Sequence, residues 1–133
     1  MIKELTIDNI DIINNSFLNK EEVLNDFNTN PFSKYLLLIK DNQVIAYVYY
    51  SDIYERAEIN QIEVQDINRN CGYGKELMKF LTETVDKDIT LEVKIDNVPA
   101  IKLYEKNGFV KKSTRKGYYK GIDGILMERK KDS

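Results

Sequence analysis

From Ile89 to Ile95 every second residue is aliphatic, and the residues between are polar. This period of two is typical of a β-strand with one buried and one exposed face. Six other stretches are rich in β-branched and aromatic residues, bounded by turn chemistry such as Asp41-Asn42, and we predict strands there too. These six stretches are residues 1–6, 35–40, 44–52, 58–64, 109–112 and 121–128.

Apolar residues recur at helical spacing in four other places, residues 8–17, 20–27, 75–85 and 100–106. Asn19 is a predicted N-cap, Pro99 is expected in a first helical turn, and Asn107-Gly108 is a stop signal. The predicted order is β-α-α-β-β-β-α-β-α-β-β. No linker or repeat interrupts it, so we expect one α/β domain, residues 1–133, with a single mixed sheet flanked by helices.

Composition removes several classes of function from the 133-residue chain. It contains no histidine, which excludes catalytic triads and metal sites that need imidazole, and we predict no metal. Cys71 is the only cysteine and cannot form an intramolecular disulfide, so we expect a cytoplasmic protein. Apolar runs are too short to span a membrane, and a net charge of -2 argues against a nucleic-acid partner.

Charge is divided unevenly along the chain. Residues 1–66 hold 5 basic and 12 acidic side chains, a net of −7, whereas the remainder holds 15 and 10, a net of +5. The split suggests that one half faces a cation and the other an anion, although solvated surfaces often show such splits.

A glycine loop lies between the predicted fourth strand and its helix. It reads R-N-C-G-Y-G from Arg69 to Gly74. Glycines allow backbone N–H groups to approach an anion, and a helix N-terminus favours negative charge, so the loop is a candidate phosphate site. It matches neither a Walker loop nor a dinucleotide fingerprint, and a plain connecting turn remains the alternative.

Downstream, residues 97–109 read N-V-P-A-I-K-L-Y-E-K-N-G-F. Together with the loop, this segment resembles the GNAT family of N-acetyltransferases, which carries Q/R-x-x-G-x-G/A followed by N-x-x-A-x-x-L-Y-x-x-x-G-F. The L-E-V-K sequence from Leu91, the R-K-G-Y-Y sequence from Arg115 and the D-G-I-L-M sequence from Asp123 resemble the ribosomal-protein alanine N-acetyltransferase branch most.

The resemblance implies that acetyl-CoA binds as co-substrate in a gap where strands four and five splay apart. Backbone groups of the fourth strand would bind the pantetheine arm, and the loop amides would bind the pyrophosphate. Asn97 would form a further hydrogen bond to the pantetheine. Tyr104 would lie near the thioester sulfur. The implied acetyl-CoA residues are Ile62, Glu63, Val64, Arg69, Asn70, Cys71, Gly72, Tyr73, Gly74, Lys75, Asn97 and Tyr104.

Acetyl transfer needs an oxyanion donor, an acid for the leaving thiolate and a base for the amine. The family pattern implies the Val64 N–H as oxyanion donor and Tyr104 as acid. Glu92 matches the base of the alanine acetyltransferase branch, and Glu58 is the second candidate. We expect Glu63 to be a solvated residue on the opposite strand face from Glu58.

Tyr118 and Tyr119 are expected in the connection between the last two strands, where peptide-acetylating relatives cover the acceptor. They would bind the acceptor backbone or simply pack on the helices, and Arg115, Lys116 and Lys120 are interpreted as a solvated basic edge. The predicted acceptor is a protein or peptide N-terminal α-amine. A small-molecule amine (polyamine, aminoglycoside or amino acid) and a non-catalytic CoA-binding module are the alternatives, and the protein is expected to be a monomer or homodimer.

Overall fold

The computed structural model describes residues 1–132, which form seven strands, three α-helices and two short 3-10 helices. The strands are β1 (Ile2–Leu5), β2 (Ser33–Lys40), β3 (Gln43–Ile53), β4 (Arg56–Val64), β5 (Asp88–Lys94), β6 (Val110–Tyr119) and β7 (Ile122–Arg129). The α-helices are α1 (Lys20–Thr29), α2 (Tyr73–Thr84) and α3 (Val98–Lys106), and the 3-10 helices are Ile7–Ile13 and Asp66–Asn68.

All seven strands join one sheet in the order β1-β2-β3-β4-β5-β7-β6. Only the β4–β5 pair is parallel, and α2 connects those two strands, as a parallel pair requires. One face packs on α2 and α3 through Leu77, Leu81 and Tyr104. The opposite face packs on the first 3-10 helix and α1 through Ile13 and Val23. The predicted mixed sheet is therefore confirmed.

The first predicted helix, residues 8–17, is wrong in type and length. The chain forms a 3-10 helix that ends at Ile13, with Asn9 at a non-helical φ of -114°. The Asn9 side chain accepts a hydrogen bond from Thr6 N at 2.7 Å and donates one to Glu4 O at 3.1 Å. Such local bonds to the backbone compete with α-helical ones, which explains the tighter and shorter element.

The sixth strand is longer than predicted. Residues 109–112 were expected to form it, yet β6 extends to Tyr119. The predicted connection bearing Tyr118 and Tyr119 is thus part of the strand, and the turn is reduced to Lys120-Gly121 with φ values of 50° and 91°. Period-two apolar residues are missing because β6 is a largely exposed edge strand.

A β-bulge in β4 changes which residues share a face. Tyr49 pairs with Gln61 but Tyr50 pairs with Ile59, so Asn60 is the extra residue. Its side chain donates to Ser51 Oγ at 2.9 Å. An extra residue reverses the alternation of side chains along a strand.

The expectation that Glu63 lies on the opposite face from Glu58 is therefore wrong. Glu58 pairs with Ser51 and Glu63 pairs with Tyr47, and these two partners lie on the same face of β3. Both glutamates are consequently on the face that carries α1.

Candidate active site

Strands β4 and β5 separate halfway along their length. Their register runs only from Arg56↔Asp88 to Ile59↔Leu91, although β4 continues to Val64 and β5 to Lys94. The separation starts at the Asn60 bulge, and it leaves a gap in the sheet between the two strand ends. The splay expected from the family resemblance is confirmed.

Backbone groups of β4 point into this gap. Gln65 N donates to Ile45 O of β3 at 2.8 Å. Because backbone groups alternate in direction along a strand, the N–H groups of Ile62 and Val64 face away from β3. They are therefore available to an extended ligand, and the Val64 N–H is the group that the family resemblance predicts as oxyanion donor.

The glycine loop closes one end of the gap. Gly72 has a φ of 83° and directly precedes the twelve-residue helix α2, a conformation that favours glycine. A methyl group at Gly74 would meet Leu103 Cδ2 at 3.5 Å and Val64 Cγ2 at 3.7 Å, so α2 lies close to both β4 and α3. The N-terminal N–H groups of α2 fit a pyrophosphate at this position.

Arg69 is bonded to its neighbours although most of its side chain is exposed. Its Nη2 lies 2.8 Å from Asp66 Oδ1, and its Nε donates to Val64 O at 3.3 Å. Asn70 adopts a φ of 64° and Cys71 is exposed. Arg69 therefore ties the loop to the end of β4, and Lys75 is another basic side chain at the start of α2.

Asn97 caps α3, the helix that carries Tyr104. Its Oδ1 accepts a hydrogen bond from Ala100 N at 3.3 Å, so the amide Nδ2 is the group that fits the expected pantetheine contact. Tyr104 is buried, and its ring centroid lies 5.8 Å from that of Phe109. Burial raises the pKa of the Tyr104 hydroxyl to about 12, so this side chain stays protonated at neutral pH.

Glu92 lies on β5 one residue past the last β4–β5 pair. Its Oε1 atom is buried, and it receives no hydrogen bond within the described part of the chain. The nearest cation is Arg115, whose Nε is 3.6 Å away. A buried carboxylate oxygen without a donor is costly, and this one lies at the beginning of the gap.

Glu58 belongs to the paired part of β4, opposite Thr90, and thus two residue rows farther from the gap than Glu92. Arg56 Nη1 lies 3.4 Å from its Oε2. Glu63 accepts hydrogen bonds from Tyr47 Oη at 3.0 Å and Gln61 Nε2 at 3.4 Å. Of these three carboxylates, only Glu92 combines burial with an unused oxygen.

The side chains of Tyr119 and Glu92 both approach Gly124 of β7, which has no side chain of its own. A methyl group at Gly124 would lie 2.9 Å from Tyr119 Cε2 and 3.1 Å from Glu92 Oε1. Burial, with the charge of Glu92, raises the pKa of the Tyr119 hydroxyl. Tyr118 is exposed, and its ring contacts Tyr119 edge-on at a centroid distance of 4.9 Å.

Sequence reasoning missed the contributions of Gly124, Arg115 and Lys94. Arg115 lies on the exposed edge strand as expected, but it also contacts Glu92 and the Tyr118 ring. Lys94 Nζ lies 5.4 Å from the centre of the Tyr119 ring. A glycine inside a strand often marks a close approach, and this was the available signal for Gly124.

A pocket of about 570 Å³ opens on the same face of the sheet between α1 and the β4 bulge. Its lining includes three acidic side chains, Glu21, Glu22 and Asp26, and the Asn60-Gln61 pair beside the gap. This accounts for part of the acidic half of the chain, and it gives the approach to Glu92 a negative character. Within residues 1–132, no helix has the length and apolarity needed to cross a membrane.

Comparison with known proteins agrees with this geometry. Residues 6–109 match the model of the Acetyltransferase (GNAT) family. An N-alpha-acetyltransferase of Saccharolobus solfataricus is 32% identical over 113 residues, which cover 71% of this chain and 68% of the relative. The ribosomal protein bS18-alanine N-acetyltransferase of Escherichia coli (strain K12) is 29% identical over 104 residues, covering 74% and 70%.

Solved structures show the same fold. The crystal structure of the ribosomal-protein-S18-alanine N-acetyltransferase from Escherichia coli superposes with a TM-score of 0.82 at 21% identity, covering 98% of this chain and 92% of that one. A GNAT family acetyltransferase from Elizabethkingia anophelis with acetyl-CoA bound gives 0.77 at 20% identity, covering 98% and 97%. The chain therefore belongs to the GNAT family and is an acetyl-CoA-dependent N-acetyltransferase.

Proposed function

We propose that this enzyme transfers the acetyl group directly, in a ternary complex, to the α-amine of a protein or peptide N-terminus, and that it works in the cytoplasm. The observation that carries the proposal is the buried, hydrogen-bond-free Glu92 Oε1 at the beginning of the gap. Similarity to enzymes that acetylate a ribosomal-protein alanine supports the choice of acceptor.

The basicity of the acceptor also supports an α-amine. An α-amino group has a pKa of about 7.7 to 8.0, whereas that of a lysine side chain is about 10.4. An α-amine is partly neutral at physiological pH, so one carboxylate, directly or through a water, is sufficient to remove its proton. Of the three glutamates near the gap, Glu92 is the one with a buried carboxylate oxygen that lacks a hydrogen bond.

Three groups of the chain then have defined roles. The Val64 N–H stabilises negative charge that develops on the carbonyl oxygen. Glu92 takes the amine proton. Tyr104 donates a hydrogen bond to the leaving sulfur: with a pKa of about 12 against about 8.5 for a thiol, complete transfer of its proton would be uphill by roughly 5 kcal/mol.

The acceptor proposal is tested with a panel of amines read by mass spectrometry. The panel contains peptides with free N-termini, N-terminally blocked peptides with one lysine, and spermidine as a polyamine. We expect acetylation at free N-termini. Acetylation of spermidine alone would instead favour a small cationic acceptor, which the acidic pocket beside α1 also suits.

The base proposal is tested by comparing Glu92 with Glu58, which lies on the same face of the sheet. Glu92→Gln should lower kcat/KM for the acceptor by about 10²- to 10⁴-fold, the usual contribution of a general base. The exposed Glu105 of α3 provides a control, and Glu105→Gln should leave the rate unchanged. If Glu58→Gln abolishes transfer and Glu92→Gln does not, Glu58 is the base.

A further inference from the structure

Glu92 has a cation close to its carboxylate but no hydrogen-bond donor at Oε1. Arg115 Nε lies 3.6 Å from Glu92 Oε1, which is close enough for an ion pair but too long for a hydrogen bond. No other donor among residues 1–132 bonds this oxygen. The carboxylate is therefore held near a cation while its hydrogen-bonding capacity stays unused.

Arg115 reaches Glu92 across an intervening strand. The register places Arg115 of β6 opposite Gly124 of β7, and Glu92 of β5 opposite Leu126 of β7. Residues opposite one another point to the same face of a sheet, so all four share the face that carries α1. Because Gly124 has no side chain, the Arg115 side chain can cross β7 diagonally.

Arg115 also has a second partner. Its guanidinium carbon lies 5.0 Å from the centre of the Tyr118 ring, within the range of a cation–π contact. About half of the Arg115 side chain is exposed. The guanidinium group can thus leave Glu92 Oε1 and retain its contact with Tyr118.

We propose that Arg115 is a positioning residue that holds Glu92 toward the gap until the acceptor ammonium replaces it at Oε1. This inference rests on the proposed function, in which Glu92 takes the amine proton. The arriving ammonium has the N–H donors that Arg115 does not supply at 3.6 Å. It passes one proton to Oε1, and its nitrogen keeps the electron pair that attacks the thioester carbon. The C–S bond then breaks, and the second proton lost from the nitrogen goes to the departing CoA thiolate.

Competition between Arg115 and the acceptor predicts an unusual kinetic change. Arg115→Gln removes the competitor, so KM for the acceptor should fall by about 1.5- to 5-fold, the range expected for a half-exposed ion pair. It also removes the support of Glu92, so kcat should fall as well. Arg115→Lys restores the charge and should restore kcat, whereas a merely structural role would raise KM or leave it unchanged.

The matched control is Lys116→Gln, which removes the neighbouring exposed cation. If it lowers KM as much as Arg115→Gln, general electrostatic attraction explains the effect and the inference fails. Thermal melting of each variant establishes that it is folded. KM for acetyl-CoA should be the same in all of them.

A double-variant experiment separates this inference from the proposed function. Calorimetric titration of an N-terminal peptide into Glu92→Gln and into Glu92→Gln/Arg115→Gln should give equal affinities, since Arg115 acts through Glu92. Equal tightening by Arg115→Gln with and without Glu92 would overturn the inference. If Glu92→Gln keeps full activity, the base assignment fails instead, whatever the titrations show.

Discussion

Gly124→Ala is the smallest change that tests whether the close approach of Tyr119 and Glu92 to Gly124 matters for transfer. The added methyl carbon would lie 2.9 Å from Tyr119 Cε2 and 3.1 Å from Glu92 Oε1, where ordinary contacts begin near 3.4 Å. The ring must then move by about 0.5 Å and the oxygen by about 0.3 Å. Gly124 does not have a positive φ, so the variant tests space rather than backbone strain.

A displacement of this size should be visible in the kinetics. Misplacement of a reacting group by about 1 Å can cost about 10²-fold in rate, so we expect Gly124→Ala to lower acceptor kcat/KM by about tenfold. Overpacking should cost about 1 to 3 kcal/mol of folding free energy, partly offset by the better strand propensity of alanine. Acetyl-CoA affinity should not change, because the cofactor-binding backbone of β4 lies on the other side of the gap.

The assay is steady-state acetylation of an N-terminal peptide, with calorimetry for acetyl-CoA and urea unfolding for stability. Ser113→Thr is the matched control, since it adds one methyl group to the same sheet face at an exposed position of β6. A folded Gly124→Ala variant with kcat/KM within twofold of the wild type would refute the role given to the space beside Gly124.

Two further predictions concern buried tyrosines. Tyr104→Phe should lower kcat by about 10²-fold without changing acetyl-CoA affinity. The control Tyr54→Phe, at an exposed tyrosine, should leave kcat unchanged. If Tyr104→Phe and the wild type have equal kcat, Tyr104 takes no part in the chemistry. Burial raises the pKa of Tyr50 to about 12, so its stabilising contribution is complete below pH 10 and is lost as the pH rises toward 12. Urea unfolding at pH 9 and 11 measures how much unfolding free energy is lost between these two pH values. The loss should be smaller in Tyr50→Phe than in the wild type by about 1.4 kcal/mol, and an equal loss in both proteins would contradict this reasoning.

Much of the fold follows from local pattern. The period-two residues of β5, the Asn19 cap, the Asp41-Asn42 turn and the Asn107-Gly108 stop all occur where the sequence predicts them. Each signal lies within a few neighbouring residues, so no distant contact can alter it. The predicted helix over residues 8–17 was wrong for a reason that is also local, because the Asn9 side chain competes with helical hydrogen bonds.

The site was only partly visible in the sequence. The loop from Arg69 to Gly74 and the segment from Asn97 to Phe109 indicate acetyl-CoA binding through motif alone. Glu92 could be placed on a polar strand face, but its burial could not be predicted. The surroundings of Glu92 include Arg115, a residue of a strand that is separated from β5 by β7 in the sheet.

By itself, the sequence determined the order of elements, the glycine loop before α2 and the acetyltransferase motif on α3. Only the tertiary structure decided that the Asn60 bulge puts Glu58 and Glu63 on one face, and that β4 and β5 part after Ile59. It also decided that Arg115 reaches Glu92 over Gly124. The physical reason is that strand register and side-chain contact across a sheet join residues far apart in the chain, and no local periodicity records which of them will meet.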